Sequence, residues 1–482
     1  MKKNVIIALS LMAAVGASGK VKLPSVLSGN MVLQQQSDVK LWGKAAPGAT
    51  VKVTASWSKS VSRVKAASDS TWAVTVSTPE AGLAPQTLTF DDGDRIVLDN
   101  ILIGEVWFCS GQSNMEMPMM GFDRQPLTGT NDIIARAKPT TPIRMFITDS
   151  KDGRWVRQQS RKPMDDCRGE WLDNSPENVA NASATAWFFA SYVQDVLQVP
   201  VGIIVSTLGG SRIEPWMSRE SLREFPAIDT SVLDAEGDIK NPHSMPCVLY
   251  NAKVSPFTGF RVRGFLWYQG ESNRDNADLY ARLMPAMVKD WRVRWGGAAG
   301  GDLPFYYVEI APFDYEGASG MSAARMREVQ AGCLKTIPNS GMASTIDAGN
   351  PVFIHPTDKQ TVGRRLAWLA LAKTYGRKGF GHSSPVYRSM EVKDGKIYIN
   401  VDNAERGLCP MWTSLKGFEI AGADRVFHPA FAEIETSTCR LAVSSRDVPE
   451  PVAVRYAYCN TPDVSVYNIH GLPLLPFRTD NW

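Results

Sequence analysis

The segment from residue 101 to residue 382 alternates short apolar runs with helical stretches, and this pattern constrains the fold most strongly. Apolar runs with the length and composition of buried strands lie at residues 106–109, 201–205, 262–268, 305–310 and 341–346. Helical spacing is found at residues 184–197, 279–294, 323–336 and 358–375. Such alternation predicts an α/β domain whose parallel sheet is covered by helices on both faces.

The segments on either side of this domain have a different pattern. Short runs with period-two alternation, broken by Gly, Pro and Asp, fill residues 20–100 and return from residue 383 to residue 482. Such runs are typical of antiparallel β domains. We therefore predict an N-terminal β domain over residues 20–100, the α/β domain over residues 101–382 and a C-terminal β domain over residues 383–482.

The first 19 residues resemble a targeting segment rather than part of a domain. Lys2 and Lys3 precede an apolar run from Val5 to Val15, and small residues follow it. This order predicts a secretory signal peptide over residues 1–19. The apolar run is shorter than the ~20 residues that a membrane span needs, and no comparable run follows, so we expect no membrane span.

Charge and cysteine content exclude several classes of partner and cofactor. The chain has 52 Lys and Arg against 49 Asp and Glu, a formal net charge of +3, which gives no reason to expect nucleic acid as a partner. Its seven cysteines form no CxxC motif and no Cys/His cluster with zinc spacing, so we expect no metal site. A disulfide among Cys409, Cys439 and Cys459 remains open.

A serine stands where the first predicted strand meets a helix. Ligands bind at the carboxyl ends of the strands in a parallel sheet, and Ser113 follows the strand at residues 106–109 in the sequence Ser110-Gly111-Gln112-Ser113. At such a turn a serine is placed to act as a nucleophile, and backbone N–H groups of the helix can face an oxyanion. The alternative is an ordinary helix cap.

A serine nucleophile needs a base, which is most often histidine. Among the five histidines, His355 follows the predicted strand at residues 341–346 and precedes a helix. We therefore expect His355 at the same edge of the sheet as Ser113. The alternative is a solvent-exposed histidine in a loop.

Two further loops follow strands at this edge. Gly209 and Gly210 come after the strand at residues 201–205, and paired glycines let a backbone N–H approach a ligand closely. Gln269 follows the strand at residues 262–268, and its amide can donate to an oxyanion. Either loop could be a simple turn, but four such loops after four strands favour a hydrolase site.

Four segments of the chain resemble the motif blocks of the sialate O-acetylesterase family, which belongs to the SGNH hydrolases. They are residues 104–116, residues 208–211 with residues 214–216, residues 267–273 and residues 354–367. The likeness extends to residues 30–34, 327–330, 471–473 and 476–480, so it covers essentially the whole chain after the signal peptide. The resemblance implies a flavodoxin-like three-layer sandwich for the α/β domain.

The resemblance also implies a serine esterase that removes acetyl groups from sugar hydroxyls through an acetyl-serine intermediate, without metal or cofactor. Ser113 would be the nucleophile, and His355 the general base and later the acid. The oxyanion hole would use the N–H of Ser113, the N–H of Gly209 or, preferably, Gly210, and the Gln269 amide. The Asn273 amide is the alternative to the last donor.

The chain departs from the family pattern before His355. SGNH hydrolases commonly carry an Asp three residues before the histidine, and relatives often have Asp or Asn two residues before it, where this chain has Val352 and Phe353. Asp347, eight residues before His355, is the nearest candidate for the third member of a triad, and it could equally be structural. A Ser–His dyad, with a backbone carbonyl orienting the imidazole, is the alternative.

The substrate implied by the resemblance is 9-O-acetylated sialic acid. Acetylated xylan or another plant polysaccharide is an alternative substrate. An alternative function is glycan binding without catalysis, on an esterase scaffold. A basic residue such as Arg212 would favour a sialate carboxylate, whereas an aromatic platform would favour neutral sugars. Glu271 and Asn273 are further candidates for substrate binding. The signal peptide predicts a periplasmic or secreted protein, and the resemblance implies a Gram-negative bacterium as its source.

Overall fold

The computed structural model describes residues 20–296, 303–317 and 319–482. The predicted signal peptide, residues 1–19, lies outside the described residues. No helix in the described residues is both long enough and apolar enough to cross a bilayer. All seven cysteines lie in the described residues, and each is unpaired.

The N-terminal β domain is built mainly from antiparallel strands. They are β1 (Val32–Gln34), β2 (Asp38–Lys44), β3 (Thr50–Ala55), β4 (Val61–Lys65), β5 (Thr71–Ser77), β6 (Gly82–Asp91) and β7 (Arg95–Gly111). Strand β2 pairs with β5, β3 pairs with β4 and β6, and β1 runs parallel to β7. Buried and exposed side chains alternate along β2 and β3, as period-two patterning requires of a sheet with one solvated face.

Strand β7 joins the N-terminal β domain to the α/β domain. Its first residues, up to Asn100, alternate between exposed and part-buried and pair with β6, whereas Ile101–Gly111 are all buried. The buried part is the central strand of the parallel sheet. The predicted boundary between residues 100 and 101 therefore falls within one continuous strand.

The α/β domain contains the predicted parallel sheet, with strand order β11-β8-β12-β7-β13-β14-β15. Only β11 runs antiparallel to its neighbour. The strands are β8 (Ile143–Thr148), β11 (Gly169–Leu172), β12 (Val201–Thr207), β13 (Gly264–Tyr268), β14 (Phe305–Val308) and β15 (Ser340–Ala343), with a small hairpin of β9 (Ser150–Lys151) and β10 (Arg154–Trp155) between β8 and β11. The apolar runs of the sequence predict all of these strands except β8 to β11.

Helices cover both faces of this sheet, as predicted. They are α1 (Ser113–Glu116), α2 (Thr130–Arg136), α3 (Pro176–Asn181), α4 (Ala184–Leu197), α5 (Arg219–Leu222), α6 (Ala277–Arg294), α7 (Ser322–Cys333) and α8 (Lys359–Lys373). Helices α4 and α8 share one apolar core, whereas α6 and α7 belong to a second core that also contains the N-terminal β domain. The three-layer α/β sandwich with flanking β domains is confirmed.

The C-terminal β domain has a core of its own. Two four-stranded antiparallel sheets have the orders β16-β17-β22-β21 and β20-β19-β23-β25, and β18 and β24 form a separate antiparallel pair. The strands are β16 (Val386–Lys393), β17 (Lys396–Asp402), β18 (Leu408–Cys409), β19 (Phe418–Ala421), β20 (Phe427–Pro429), β21 (Phe431–Ile434), β22 (Leu441–Ser444), β23 (Ala453–Tyr456), β24 (Tyr467–Asn468) and β25 (Phe477–Arg478). Polar contacts join it to α7, where Glu328 accepts from Tyr458 Oη at 2.7 Å and from Arg478 Nε at 3.1 Å.

Candidate active site

The turn between β7 and α1 exposes Ser113 at the carboxyl edge of the sheet. Gly111 has φ +142°, and a Cβ there would stand 2.2 Å from the carbonyl oxygen of Tyr268, so the close approach of β7 and β13 requires glycine. Ser113 is half-buried, and its hydroxyl has no hydrogen-bond partner among the described residues. The backbone N–H groups of Ser113 and Asn114 also have no acceptor there. Both the hydroxyl and these donors are therefore available to a substrate.

His355 lies in the loop before α8, and Gln125 contacts its ring. Nδ1 is 2.5 Å from Oε1 of Gln125, and the Phe122 ring packs against the imidazole at 5.3 Å between centroids. An amide oxygen only accepts hydrogen bonds, so Nδ1 carries the hydrogen and Nε2 is free to act as a base. Burial and the positive charge of Lys359 lower the pKa of His355 to about 4.

Asp347 does not occupy the position beside His355. Its carboxylate accepts two hydrogen bonds from Arg365 of α8, at 2.6 Å and 2.8 Å. The structure therefore places Gln125, rather than Asp347, at Nδ1. Gln125 is 230 residues away from His355 in the sequence, and nothing in its local pattern indicated this role.

The glycine loop after β12 lies against the nucleophile. A Cβ on Gly209 would stand 3.4 Å from the Cβ of Ser113. The Gly209 N–H donates to the Glu116 carboxylate, whereas the Gly210 N–H has no acceptor among the described residues. Gly210, with φ +70°, is thus the glycine whose N–H remains available for an oxyanion.

The side-chain amides of Gln269 and Asn273, the two candidates for the last oxyanion donor, form hydrogen bonds within the protein. Gln269 is fully buried, and its Nε2 donates to the carbonyl of Ser211 at 3.1 Å and to Oδ1 of Asn273 at 2.8 Å. Asn273 in turn donates to Glu214 at 3.1 Å and accepts from the N–H of Ile213 at 2.9 Å. Both hydrogens of the Gln269 amide are therefore used within the protein, which differs from its predicted role as an oxyanion donor.

Of the three predicted substrate-binding residues, only Arg212 reaches the surface. Its side chain is 28% exposed and pairs with Asp275 at 3.0 Å and, more loosely, with Glu214 at 3.7 Å. Glu271 and Asn273 are 3% and 1% exposed, so they lie beneath the site and not on the surface that meets a substrate.

A polar network that the sequence did not predict lies beneath Ser113. Asn114 donates to Oε1 of Glu271 at 2.6 Å and to the carbonyl oxygen of Ile354 at 3.1 Å, and it accepts from the Lys359 ammonium group. Burial lowers the pKa of Lys359 to about 7, against the opposing effect of Glu271, and burial raises the pKa of Glu271. The one feature of the sequence that could have indicated a role for Asn114 is its position directly after Ser113.

Apolar side chains border the histidine. Val352 and Phe353, just before His355, are 75% and 37% exposed. Met120 is 57% exposed and lies in the same loop as Phe122, which contacts the imidazole. No group of His, Cys, Asp and Glu side chains in the described part of the chain could hold a metal ion.

A serine with a free hydroxyl, a neutral imidazole and unpaired backbone N–H groups at one sheet edge are the parts needed for acyl transfer. The family described as carbohydrate esterase, sialic acid-specific acetylesterase, matches residues 103–372. The chain belongs to this sialic acid-specific acetylesterase family. Membership makes the protein an esterase that hydrolyses O-acetyl esters on carbohydrate.

Relatives of this acetylesterase match along most of its length. The sialate O-acetylesterase of Pongo abelii is 30% identical over 496 residues, covering 95% of this chain and 91% of that protein. The mouse sialate O-acetylesterase is 29% identical over 538 residues, covering 98% and 97%. The crystal structure of a carbohydrate acetylesterase from Xanthomonas citri is 34% identical, with a TM-score of 0.85 and coverage of 96% and 100%.

Proposed function

We propose that the protein is a serine O-acetylesterase whose first candidate substrate is 9-O-acetylated sialic acid. The observation that carries the catalytic part is the free Ser113 hydroxyl at the same sheet edge as a neutral His355. The sialate part is supported by the similarity to sialate O-acetylesterases over nearly the whole chain.

The proposed reaction has two acyl-transfer steps. Oγ of Ser113 attacks the acetyl carbonyl carbon while Nε2 of His355 takes its proton. The N–H groups of Ser113 and Gly210 receive the oxyanion of the tetrahedral intermediate. The C–O bond to the sugar then breaks, the imidazolium protonates the leaving hydroxyl, and a water molecule hydrolyses the acetyl-serine by the same route in reverse.

Gln125 takes the place of the usual carboxylate in this scheme. Its amide oxygen accepts a hydrogen bond from Nδ1, with 2.5 Å between the nitrogen and the oxygen. This bond fixes the tautomer of the ring and the direction of Nε2. A neutral amide stabilises the imidazolium less than a carboxylate does, so orientation is its main contribution.

Acetate release tests the proposal directly. Purified protein is given 9-O-acetylated sialic acid and acetylated xylan in parallel, with Ser113→Ala and His355→Ala as controls. We expect release from the sialate that is lost in both variants. Release from neither substrate would overturn the substrate proposal, and release that survives Ser113→Ala would overturn the mechanism.

A neutral acetylated polysaccharide is the second candidate. Asp275 balances the charge of Arg212, which weakens the case for a sialate carboxylate at that residue. Phe353 and Val352, two and three residues before His355, are exposed apolar side chains that suit the face of a neutral sugar. Release from acetylated xylan alone would favour this candidate. Binding without turnover is not retained, because the chain belongs to an esterase family.

For localisation we propose export through the N-terminal signal, to the periplasm or the medium. The basic start and short apolar run within residues 1–19 support this proposal. N-terminal sequencing of the protein from the periplasmic fraction is expected to begin after Ala17 or Gly19. An intact Met1 in that fraction would contradict processing.

A further inference from the structure

Three buried polar side chains next to the nucleophile take no part in the steps above. Asn114, Glu271 and Lys359 are 1%, 3% and 1% exposed. They come from α1, from the short 3-10 helix Glu271–Asn276 and from the start of α8, so side chains of three separate helices meet at this point. Burying a lysine and a glutamate is unfavourable unless the charges are compensated, which indicates that this arrangement has a purpose beyond packing.

The Asn114 amide is the centre of this cluster and uses both of its ends. Nδ2 donates to the Glu271 carboxylate at 2.6 Å and to the Ile354 carbonyl at 3.1 Å, while Oδ1 accepts from the Lys359 ammonium group. An anion at the donor end and a cation at the acceptor end fix the amide in one orientation. Charge-assisted hydrogen bonds of this kind are about twice as strong as neutral ones.

The same amide connects the two reacting residues through the backbone. Asn114 directly follows Ser113, and Ile354 directly precedes His355. The carbonyl of Asn114 also accepts from Oγ1 of Thr185 at 3.1 Å, which anchors it to α4. A shift of Asn114 would therefore change the distance between the serine hydroxyl and the imidazole.

We propose that Asn114, Glu271 and Lys359 act as a brace that holds Ser113 and His355 in register for proton transfer. They are positioning residues, since none of them presents a group to the acetyl ester. The brace rests on the roles proposed above for the serine and the histidine.

The charges in the brace also act on the imidazole. Lys359 faces Glu271 and Asp358, its ammonium group lies 5.7 Å from the Tyr268 ring centroid, and its positive charge opposes formation of the His355 imidazolium. Together with burial, this holds the pKa of the histidine at about 4 and keeps the base unprotonated at rest. Removing the lysine charge should therefore raise the pH at which the histidine becomes protonated.

Variants at Lys359 test the brace in the full-length enzyme. Kinetics with 4-nitrophenyl acetate are measured across pH for Lys359→Met, Lys359→Arg and the matched control Lys373→Met, whose native side chain donates to the Ser340 carbonyl at the far end of α8. For Lys359→Met we expect kcat to fall roughly 10- to 100-fold with KM nearly unchanged. The acidic limb of kcat/KM should also move to higher pH, because the charge that opposes protonation of His355 is gone while the burial of the ring remains. Lys359→Arg should recover most of kcat, and the control should match the native enzyme.

A native kcat in Lys359→Met, or an equal loss of kcat in the control, would overturn the proposal. If Lys359→Met does not fold, Glu271→Gln decides the question. This variant keeps the side-chain shape but weakens the hold on Asn114, so we expect a lower kcat per folded molecule, and a native kcat would overturn the brace. Ser113→Ala is run alongside, because activity that survives in it would refute the proposed function instead.

Discussion

At the scale of single residues, the imidazole of His355 determines how this esterase responds to pH. Most serine hydrolases place a carboxylate at Nδ1, which favours the protonated ring. Here Nδ1 meets the neutral amide of Gln125, and burial of the ring, together with the charge of Lys359, opposes protonation and lowers the pKa of His355. The base therefore stays neutral, and competent to accept a proton, well below the ordinary histidine range.

We predict that kcat/KM keeps its plateau on the acidic side until about pH 4. His355 must be neutral to take the serine proton, and its lowered pKa of about 4 means that protonation removes activity only below that region. A pH profile with 4-nitrophenyl acetate checks this, with melting temperatures measured at each pH to exclude unfolding. A limb near pH 6.5, with the protein still folded, would contradict the assignment.

Gln125 variants should separate orientation of the imidazole from its charge. We expect Gln125→Ala to lower kcat roughly 10- to 100-fold with little change in KM, because the ring loses its hydrogen-bond partner. Gln125→Glu places a carboxylate at Nδ1 and should move the acidic limb to higher pH by one unit or more. Equal pH profiles in both variants would show that Gln125 does not contact the ring during turnover.

The sequence predicts Ser113 and His355 because each follows a strand at the reactive edge of a parallel sheet. It could not predict Gln125, which reaches the histidine only through tertiary folding of the loop after α1. The sequence also could not predict that Gln269 is buried. Whether an amide after a strand faces the site or the core depends on the residues that pack against it.

At the scale of elements, helix α8 and the loop before it set the position of the histidine. Arg365 of α8 donates to both oxygens of Asp347 and to the carbonyl of Ser344 at 2.8 Å. The side chains of Arg365 and Asp347 are only 7% and 15% exposed, so the pair ties the helix to the end of β15 with little solvent screening.

Replacing Asp347 should therefore affect stability more than catalysis. Removing one partner of a buried ion pair costs about 3 kcal/mol, so Asp347→Ala is expected to lower the free energy of unfolding in urea by about that amount. Per folded molecule, kcat should stay within a few-fold of the native value. A loss near 10⁴-fold, as seen when a triad carboxylate is neutralised, would instead make Asp347 the third catalytic residue.

Element prediction succeeded where the pattern was long or strongly apolar. Helix α4 has the predicted bounds, Ala184–Leu197. Strand β8 was missed although all six of its residues are buried, because Arg144 interrupts its apolar run and Pro142 directly precedes it. The buried side chain of Arg144 donates to the carbonyl of Pro139 at 3.5 Å, a compensation that only the folded structure reveals.

At the scale of the whole molecule, we expect the N-terminal β domain and the α/β domain to unfold together. They share strand β7 and one continuous apolar core that runs from Leu41 in β2 to Trp291 in α6. Sequence patterning predicted both architectures, but a change of pattern at residue 100 carries no information on whether the strand itself ends there. The C-terminal β domain, by contrast, has a separate core.

A substitution that destabilises the N-terminal part of this core should therefore also reduce the stability of the active site. Leu41 is fully buried, so Leu41→Ala is expected to cost about 2–5 kcal/mol. We predict that tryptophan fluorescence and esterase activity are lost together at a lower urea concentration than in the native enzyme. Leu83→Ala, at a side chain that is 63% exposed, serves as the control. Activity that outlasts unfolding of the N-terminal strands would contradict a shared core.

Trapping the acyl-enzyme is the most direct test of the proposed acetyl-serine mechanism. The enzyme is mixed with an O-acetylated sugar, quenched in acid within the first turnovers and digested, and the peptide carrying Ser113 is analysed by mass spectrometry. We expect an acetyl group on Ser113 that disappears when substrate is exhausted and never forms in Ser113→Ala. Steady acetate release with no acetyl group on this residue would contradict the proposed mechanism.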